Sequence, residues 1–207
     1  MKRILCFGDS LTWGFNPATH SRYEEKERWT TQLEQLLGPG YKIIEEALCG
    51  RTTILTDPFE PMREANKVLP ILLESHCPLD LVIILLGTND LKYYLKTDAK
   101  QAALGCGQLI NQIRSNVFCK NTKILLISPP RISKPSGIME IIFGTSYPES
   151  THFAQHYKTI SQLLQVEFLD SSLIISASDI DGVHLSVESN TTLANHLSIR
   201  VNEIFKK

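Results

Sequence analysis

Two short, continuous runs of apolar residues dominate the hydrophobic pattern of the chain, at residues 80–87 and 123–128. Both are rich in Ile, Leu and Val, and they end at a glycine and at a Pro-Pro pair. Continuous rather than alternating hydrophobicity is typical of strands that are buried on both faces, as in a parallel sheet covered by helices. Three weaker runs of the same kind bring the prediction to five strands: residues 2–8, 41–48 and 166–169.

Between these runs, apolar residues recur with the spacing of amphipathic helices. One stripe runs from Trp29 to Leu37 and ends at Gly38-Pro39. Three more stripes are found at residues 99–117, 153–164 and 193–205. Strands and helices therefore alternate, which predicts right-handed crossovers and an α/β fold of three layers, an α/β/α sandwich. At 207 residues, we expect residues 1–207 to form one domain.

The segment at residues 129–149 differs from the rest, with four prolines and an apolar piece at residues 138–143. It follows the carboxyl end of a predicted strand, where open α/β sheets bind their ligands. Two interpretations stay open. The segment is either a loop on the substrate side of the sheet or a loop that only covers the end of a helix.

Composition and charge predict a soluble globular protein and argue against nucleic-acid-binding and membrane proteins. A hydrophobic share of 43% and a charged share of 21% are those of an ordinary soluble globular protein. The net charge of −1 provides no field to attract nucleic acid or an anionic membrane, and no run approaches the ~20 apolar residues that cross a bilayer. Five cysteines without a CxxC spacing, and no secretory signal, predict a cytoplasmic protein without a disulfide framework.

Polar residues and glycines cluster where the first three predicted strands end, at residues 8–11, 49–51 and 87–90. Because the carboxyl ends of parallel strands share one edge of the sheet, we expect these segments to converge on one crevice. Ser10 follows a glycine turn, so it can lie at a helix N-terminus whose unpaired amides stabilise an oxyanion. A Gly-Asp-Ser tripeptide alone is more often a helix cap.

The pair Asp181 and His184 favours the catalytic interpretation of Ser10. A hydroxyl becomes a good nucleophile when a base removes its proton, and the base needs an acid that holds its tautomer. Asp181 and His184 lie three residues apart across a glycine turn and can supply both groups. No other histidine has this arrangement, and His152 and His156, four residues apart, lack the glutamate of a zinc motif, so no metal site is predicted.

The remaining candidates concern the oxyanion and the substrate. The side-chain amide of Asn89 and the backbone N–H of Gly50 can donate to an oxyanion beside the Ser10 amide, and Asp90 can cap the segment after the third predicted strand. Substrate contacts are predicted for four residues, although core packing explains Trp13 and Phe143 equally well. These four are Asp9, Leu11, Trp13 and Phe143.

Taken together, residues 7–12, 49–53, 87–90 and 181–184 resemble the four sequence blocks of the GDSL, or SGNH, hydrolase family, in the family's order. Residues 2–14, 51–53 and 79–84 are similar to its aryl esterase and acyltransferase branch. The resemblance implies a flavodoxin-like fold, no cofactor and often a ring-like homo-oligomer. One departure is residues 45–47, Glu-Glu-Ala, where many members carry Asn-x-Gly.

By the same resemblance, Ser10 matches the nucleophile, His184 its base and Asp181 the acid that orients the base. Ser10, Gly50 and Asn89 match the oxyanion donors. We therefore expect a serine ester hydrolase that acts on short-chain aryl, alkyl or acetylated sugar esters through an acyl-enzyme, with acyl transfer as a second activity.

Two alternatives come from other classes of protein. One is a flavodoxin-like protein that binds a phosphate or nucleotide without hydrolase activity, but it would not need His184 or Asn89, and the chain lacks a GKS/T loop. The other is a scaffold without activity, which should have lost at least one block residue.

Overall fold

The computed structural model describes residues 1–206 and contains seven strands and seven helices within that range. The strands are β1 (Lys2–Gly8), β2 (Phe15–Asn16), β3 (Ser21–Arg22), β4 (Tyr41–Ala47), β5 (Leu81–Leu85), β6 (Lys123–Ser128) and β7 (Glu167–Asp170). The helices are α1 (Ser10–Trp13), α2 (Trp29–Leu37), α3 (Ala65–His76), α4 (Ala99–Ser115), α5 (Ile138–Phe143), α6 (Phe153–Leu163) and α7 (Val187–Lys206).

Five of the strands form one parallel sheet in the order β4-β1-β5-β6-β7. Counted within the sheet, this is the order 2-1-3-4-5 of flavodoxin-like folds. The prediction of a parallel five-stranded sheet in an α/β fold is therefore confirmed. The register aligns the last residue of β1, Gly8, with Ala47 of β4 and Leu85 of β5, so these three strands end together at one edge.

Helices cover both faces of the sheet because successive side chains of a strand point to opposite faces. In β1, Leu5 and Phe7 pack into the core that α3, α4 and α6 cover. Ile4 and Cys6 pack into the second core, which α2 and α7 cover. Burial on both faces explains why these strands show continuous rather than alternating hydrophobicity.

Most predicted elements agree with the structure to within a few residues, but the prediction does not include α3. Its buried residues Ala65, Leu69 and Leu73 have helical spacing. Pro70 lies inside this helix, and an interior proline lacks the amide of the helical ladder and usually ends a helix. Tertiary packing of the apolar stripe outweighs this local preference.

The segment at residues 129–149 contains α5 and the start of a short 3-10 helix, Tyr147–His152, so it is not a simple loop. Phe143, the last residue of α5, is buried in the core on the side of α4 and α6. Among the helices of residues 1–206, none combines the length and apolar character of a membrane span.

Candidate active site

The structure brings Ser10, Gly50, Asn89 and His184 together around one cavity of about 150 Å³. The first three follow β1, β4 and β5, whose carboxyl ends lie at the same edge of the sheet. His184 comes from the loop before α7 and is 174 residues away from Ser10 in the sequence. The cavity therefore forms where the sheet topology collects segments from the whole chain.

Ser10 is the first residue of α1, directly after β1. The carboxylate of Asp9 accepts a hydrogen bond from the Leu11 amide at 3.0 Å, and the Asp9 carbonyl accepts from the amides of Thr12 and Trp13. Asp9 is thus the helix cap, and the Ser10 amide, as the first of the helix, has no acceptor inside it. An amide in this position is available to a group in the cavity.

The side chains of Ser10, His184 and Asp181 form a continuous hydrogen-bonded series. His184 Nε2 lies 3.0 Å from Ser10 Oγ, and His184 Nδ1 lies 2.5 Å from Asp181 Oδ2. The other carboxylate oxygen, Asp181 Oδ1, accepts from the amides of Val183 and His184, each at 2.9 Å. The Asp181 carboxylate is therefore held by three hydrogen bonds within one short turn, one from the imidazole and two from backbone amides.

The charge of Asp181 sets the tautomer of the imidazole. Burial raises the pKa of Asp181, but the hydrogen bonds from the His184 ring and from the two amides outweigh it and hold the pKa below its usual value. Asp181 is therefore a carboxylate at neutral pH. It accepts a hydrogen bond from Nδ1–H, which leaves Nε2 without a proton and able to accept that of the Ser10 hydroxyl.

A required glycine and an aromatic contact fix the shape of this turn. Gly182 has a φ of +76°, and a Cβ at this position would lie 2.5 Å from the Lys134 carbonyl oxygen, so the turn requires glycine. The ring of Phe15 packs against the imidazole of His184 with 4.2 Å between ring centroids. The orientation of His184 is thus set by packing as well as by hydrogen bonds.

Gly50 and Asn89 face the cavity from two different loops. Gly50 lies in a turn with a φ of +78°, and a Cβ there would overlap the Glu60 carboxylate. Asn89 Nδ2 donates to the Arg51 carbonyl at 3.1 Å and lies at a longer 3.4 Å from Asp9 Oδ2. The longer contact is weak, so the amide retains donor capacity toward the cavity.

Asp90 does not cap the segment after β5, and that prediction is corrected. Its carboxylate accepts hydrogen bonds from the backbone amide of Thr53, at 3.0 Å, and from the Thr53 hydroxyl. Asp90 therefore ties the loop after β4 to the loop after β5. This bond holds the segments of Gly50 and Asn89 in a fixed relation.

Three buried ionisable side chains lie beneath the cavity. Burial raises the pKa of Asp9 to about 7 and that of Asp90 to about 6, and it lowers the pKa of Arg51 to about 10. Arg51 Nη1 donates to the carbonyls of Gly8, at 2.9 Å, and Glu46, at 2.8 Å. The guanidinium thereby connects the carboxyl ends of β1 and β4 at the position of the unusual residues 45–47.

One side of the cavity is apolar and the other is polar. The apolar side consists of Phe15, Met139, Ile142, Phe143 and Val183. Three of these residues belong to α5, so the segment at residues 129–149 lies on the cavity side of the sheet. Of its two open interpretations, the structure supports the first.

Lys92 and Glu60 form part of the polar side, and sequence reasoning missed both. Lys92 Nζ lies 2.7 Å from the Asp57 carboxylate and 2.9 Å from the Glu60 carboxylate, while its side chain is only 4% exposed. Neither residue belongs to a motif or a hydrophobic stripe. Only the folded arrangement of the two loops brings them to the cavity.

Of the four residues predicted to contact substrate, Phe143 lines the cavity and the other three do not. Asp9 and Leu11 are buried beneath Ser10, where Leu11 belongs to the core on the side of α2 and α7. The Trp13 ring packs against the Arg22 guanidinium, with 4.9 Å from its carbon to the ring centroid. The structure gives these three residues packing and capping roles.

The chain is similar to known ester hydrolases in sequence and in structure. The sequence profile of the GDSL-like Lipase/Acylhydrolase family matches residues 6–191. Est24, a carbohydrate acetylesterase from Sinorhizobium meliloti, is 38% identical and superposes with a TM-score of 0.95, covering 99% of this chain and 100% of its own. No curated protein sequence matches significantly.

Two further solved structures are similar over nearly their whole length. The native aryl esterase of M. smegmatis is 37% identical with a TM-score of 0.94, and the match covers 98% of this chain and 99% of that one. A second carbohydrate acetylesterase family member from Sinorhizobium meliloti is 31% identical with a TM-score of 0.95, and both chains are covered fully, at 100%.

Proposed function

The chain belongs to the GDSL-like lipase/acylhydrolase family, and we propose that Ser10 is the nucleophile with which this carboxylic ester hydrolase cleaves its substrates. The observation that carries the proposal is the hydrogen-bonded series Ser10–His184–Asp181, with distances of 3.0 and 2.5 Å. The alternative of a phosphate- or nucleotide-binding protein is not favoured, because it has no use for this series.

The first half of the reaction forms an acyl-enzyme. His184 Nε2 takes the proton of the Ser10 hydroxyl as Ser10 Oγ bonds to the ester carbonyl carbon, and the carbonyl oxygen becomes an oxyanion. When this intermediate collapses, the bond from carbon to the alcohol oxygen breaks. His184 Nε2 then gives its proton to the leaving alcohol, and the acyl group stays on Ser10 as an ester.

The second half returns the enzyme to its starting state. His184 takes a proton from water, or from another alcohol, as the oxygen of that molecule attacks the acyl carbon. The bond to Ser10 Oγ then breaks, and the proton passes from His184 to Ser10. Water gives hydrolysis and an alcohol gives acyl transfer, so the access of each acceptor to the cavity decides between the two outcomes.

Fixed charges and dipoles stabilise both intermediates. The Asp181 carboxylate stabilises the imidazolium that forms when His184 takes a proton. The Ser10 and Gly50 amides and Asn89 Nδ2 are placed to donate to the oxyanion. Because these donors are fixed before the reaction, each one lowers the barrier without a cost of reorganisation, and one donor typically contributes ~10²–10³ in kcat.

Short acyl groups are the proposed substrates. A cavity of about 150 Å³ with one apolar side accommodates an acetyl or similarly small acyl group. The similar structures are those of an aryl esterase and of carbohydrate acetylesterases, which supports esters of aryl alcohols or of sugars. The charged pair of Lys92 and Glu60 at the polar side suits an alcohol that carries hydroxyl groups.

A homo-oligomer and a cytoplasmic location complete the proposal. Phe59, Met62 and Tyr93 are 73%, 83% and 52% exposed, and they neighbour Glu60 and Lys92 in sequence, so the two segments that line the cavity also expose apolar side chains. Such a surface favours association with a second copy. The five free thiols favour a reducing compartment. Analytical ultracentrifugation of the wild type and of Phe59→Ser tests the oligomer, which the substitution should weaken.

Hydrolysis of p-nitrophenyl acetate tests the proposed nucleophile and base. Ser10→Ala and His184→Ala should each lower kcat by about 10⁴–10⁶, because neither half of the reaction proceeds without them. Ser115→Ala and His196→Ala, at exposed positions on α4 and α7, are matched controls that should retain activity. Undiminished turnover in both active-site variants, with native unfolding temperatures, would falsify the assignment.

Covalent labelling distinguishes an active enzyme from a scaffold without activity. A fluorophosphonate reacts with an activated serine, so the wild type should take up one label on the peptide that contains Ser10. Ser10→Ala should take up none. A label on another serine contradicts the assignment.

A further inference from the structure

Cys77 and Cys119 lie side by side at the edge of the sheet opposite to the cavity. Their sulfur atoms are 2.6 Å apart, and both residues are free thiols. A disulfide bond measures ~2.0 Å, so the sulfur atoms are already close to bonding distance. The odd cysteine count and irregular spacing predicted no disulfide framework, and only the fold reveals this pair.

The register of the sheet explains the pairing. β5 and β6 are parallel, and Leu81 pairs with Lys123 at the start of the two strands. The separation of this pair in sequence is the same 42 residues as that of Cys77 and Cys119. Each cysteine therefore lies four residues before its strand, and the two incoming segments run side by side.

Hydrogen bonds between these segments hold them together without the sulfur atoms. The Lys123 amide donates to the Asp80 carbonyl at 3.0 Å, and the Thr122 hydroxyl donates to the Leu79 carbonyl at 2.8 Å. A third connection comes from β1, because Arg3 Nε donates to the carbonyl of Pro78 at 3.1 Å. These hydrogen bonds hold the two segments at the spacing at which the sulfur atoms lie 2.6 Å apart.

Each cysteine is also anchored to its own segment. The Cys77 amide donates to the Leu73 carbonyl at 2.9 Å, at the end of α3. The Cys119 amide donates to the Asn116 carbonyl at 3.0 Å, in the connection between α4 and β6. The backbone of each cysteine is therefore held by the segment to which it belongs.

The two thiols differ in their exposure. Cys119 is only 2% exposed, whereas Cys77 is half-buried. Burial, with a smaller contribution from the neighbouring Cys77 thiol, raises the pKa of Cys119 to about 12. An oxidant from solution therefore reacts with Cys77 first, and Cys119 is the thiol that then attacks the oxidised Cys77.

We propose that Cys77 and Cys119 are an oxidisable pair that closes reversibly into an intramolecular disulfide. With hydrogen peroxide as oxidant, the Cys77 thiol becomes a sulfenic acid while the O–O bond breaks and one water forms. The Cys119 sulfur then attacks the Cys77 sulfur, the S–S bond forms, and the S–O bond breaks. The hydroxide leaves with the Cys119 proton as a second water, so two electrons pass from the thiols to the peroxide.

A small thiol in excess reverses the step by attack on the disulfide and is itself oxidised. The cross-link joins the end of α3 to the segment before β6 and constrains the unfolded chain. It should therefore stabilise the protein. Since the cross-link and Ser10 lie at opposite edges of the sheet, esterase activity should be retained.

Peptide mapping of the full chain tests the pair. The reduced protein is treated with hydrogen peroxide, the excess is removed with catalase, and remaining thiols are alkylated before proteolysis. We expect one peptide that links Cys77 to Cys119, with a mass about 2 Da below the sum of its parts. The unfolding temperature should rise by roughly 5–10 °C and return after treatment with dithiothreitol.

Matched variants separate this pair from the other thiols. Cys77→Ser should give no cross-link and no rise in unfolding temperature. It is preferred to a substitution of Cys119, which is buried and whose change would disturb the core. Cys49→Ser removes the thiol that lines the cavity and should leave the cross-link intact.

Three outcomes would overturn the proposal. In the first, Cys77 is recovered as a higher oxide while Cys119 remains alkylated. In the second, the cross-link joins two chains rather than one. In the third, the cross-link forms without any rise in unfolding temperature, which would show that the native backbone does not hold the thiols in bonding geometry.

Discussion

The backbone amide of Ser133 donates a hydrogen bond of 2.8 Å to the carbonyl of Gly182, in the turn between Asp181 and His184. The Ser136 amide also donates to the Asp181 carbonyl, at 3.2 Å. The segment that leads into α5 is therefore bonded directly to the turn that carries His184. His184 and the apolar side of the cavity are therefore held as one unit.

Gly182→Ala should disturb this unit. The new Cβ would lie 2.5 Å from the Lys134 carbonyl oxygen, so the turn must shift and displace His184 from Ser10. A displacement of the order of 1 Å costs about 10² in rate, so kcat for p-nitrophenyl acetate should fall by that factor. The measurement is steady-state kinetics together with thermal unfolding.

Gly137→Ala is the matched control for that substitution. Gly137 also has a positive φ, +59°, but nothing lies within 4 Å of a Cβ built there. It should lose stability through backbone strain while retaining most of its activity. Equal losses of kcat in the two variants would mean that the contact with Lys134 is unimportant.

Asn89→Ala should lower kcat by about 10²–10³ with little change in KM, because an oxyanion donor acts in the transition state rather than on bound substrate. Asn195→Ala, at an exposed position on α7, is the control and should behave as the wild type. If KM rises while kcat stays constant, Asn89 binds the substrate and is not an oxyanion donor.

Asp9 should make the stability of the protein depend on pH. Burial raises its pKa from 3.8 to about 7 in the folded protein, so between these values the folded state binds more protons than the unfolded chain. The stability that protonated Asp9 contributes is complete below pH 3.8 and is lost as the pH rises through about 7. Asp9→Asn should therefore flatten the fall in stability over this window.

Urea unfolding midpoints between about pH 5 and pH 8 measure this effect. Asp98→Asn is the matched control, because Asp98 also caps a helix, α4, through its side chain. It should leave the pH dependence of the wild type in place. An identical fall for the wild type and Asp9→Asn would contradict the role of this carboxyl.

Ile142→Ala should widen the range of acyl groups that the enzyme accepts. Ile142 lines the cavity, whereas its neighbour Ile141 is 67% exposed on the same helix. Because a methylene in an apolar pocket changes discrimination by about 10-fold or more, kcat/KM for hexanoate relative to acetate should rise about 10-fold in Ile142→Ala. Ile141→Ala should show the wild-type ratio. The same ratio in both variants would exclude this side of the cavity from acyl recognition.

Much of the fold could be predicted because the pattern of apolar residues in a segment depends on which of its faces are buried. The runs at β5 and β6 are continuous because helices cover both of their faces. The α3 helix escaped prediction because Pro70 obscures a stripe that only tertiary packing stabilises. Strand order and register are not written in any single run, since they depend on how the crossovers pack.

By itself, the sequence determined those parts of the site whose side chains are brought together by a short local turn. Asp181 and His184 lie three residues apart, so a single glycine turn suffices to bring the two side chains together. The glycine turn before Ser10 likewise follows from neighbouring residues. Such contacts are predictable because a short segment has few conformations that satisfy its backbone.

Only the tertiary structure decided the contacts between distant segments. In the folded chain, Ser10 lies 3.0 Å from His184 and Lys92 contacts Glu60. Asp90, which was predicted to cap the segment after β5, instead accepts hydrogen bonds from Thr53. The fold also pairs Cys77 with Cys119. The register of parallel strands brings together the loops of Asp90 and Thr53 and the segments of Cys77 and Cys119, whereas the packing of the loop before α7 brings His184 to Ser10. In each case the packing of whole elements fixes the pair, and neither residue carries a local signal of its partner.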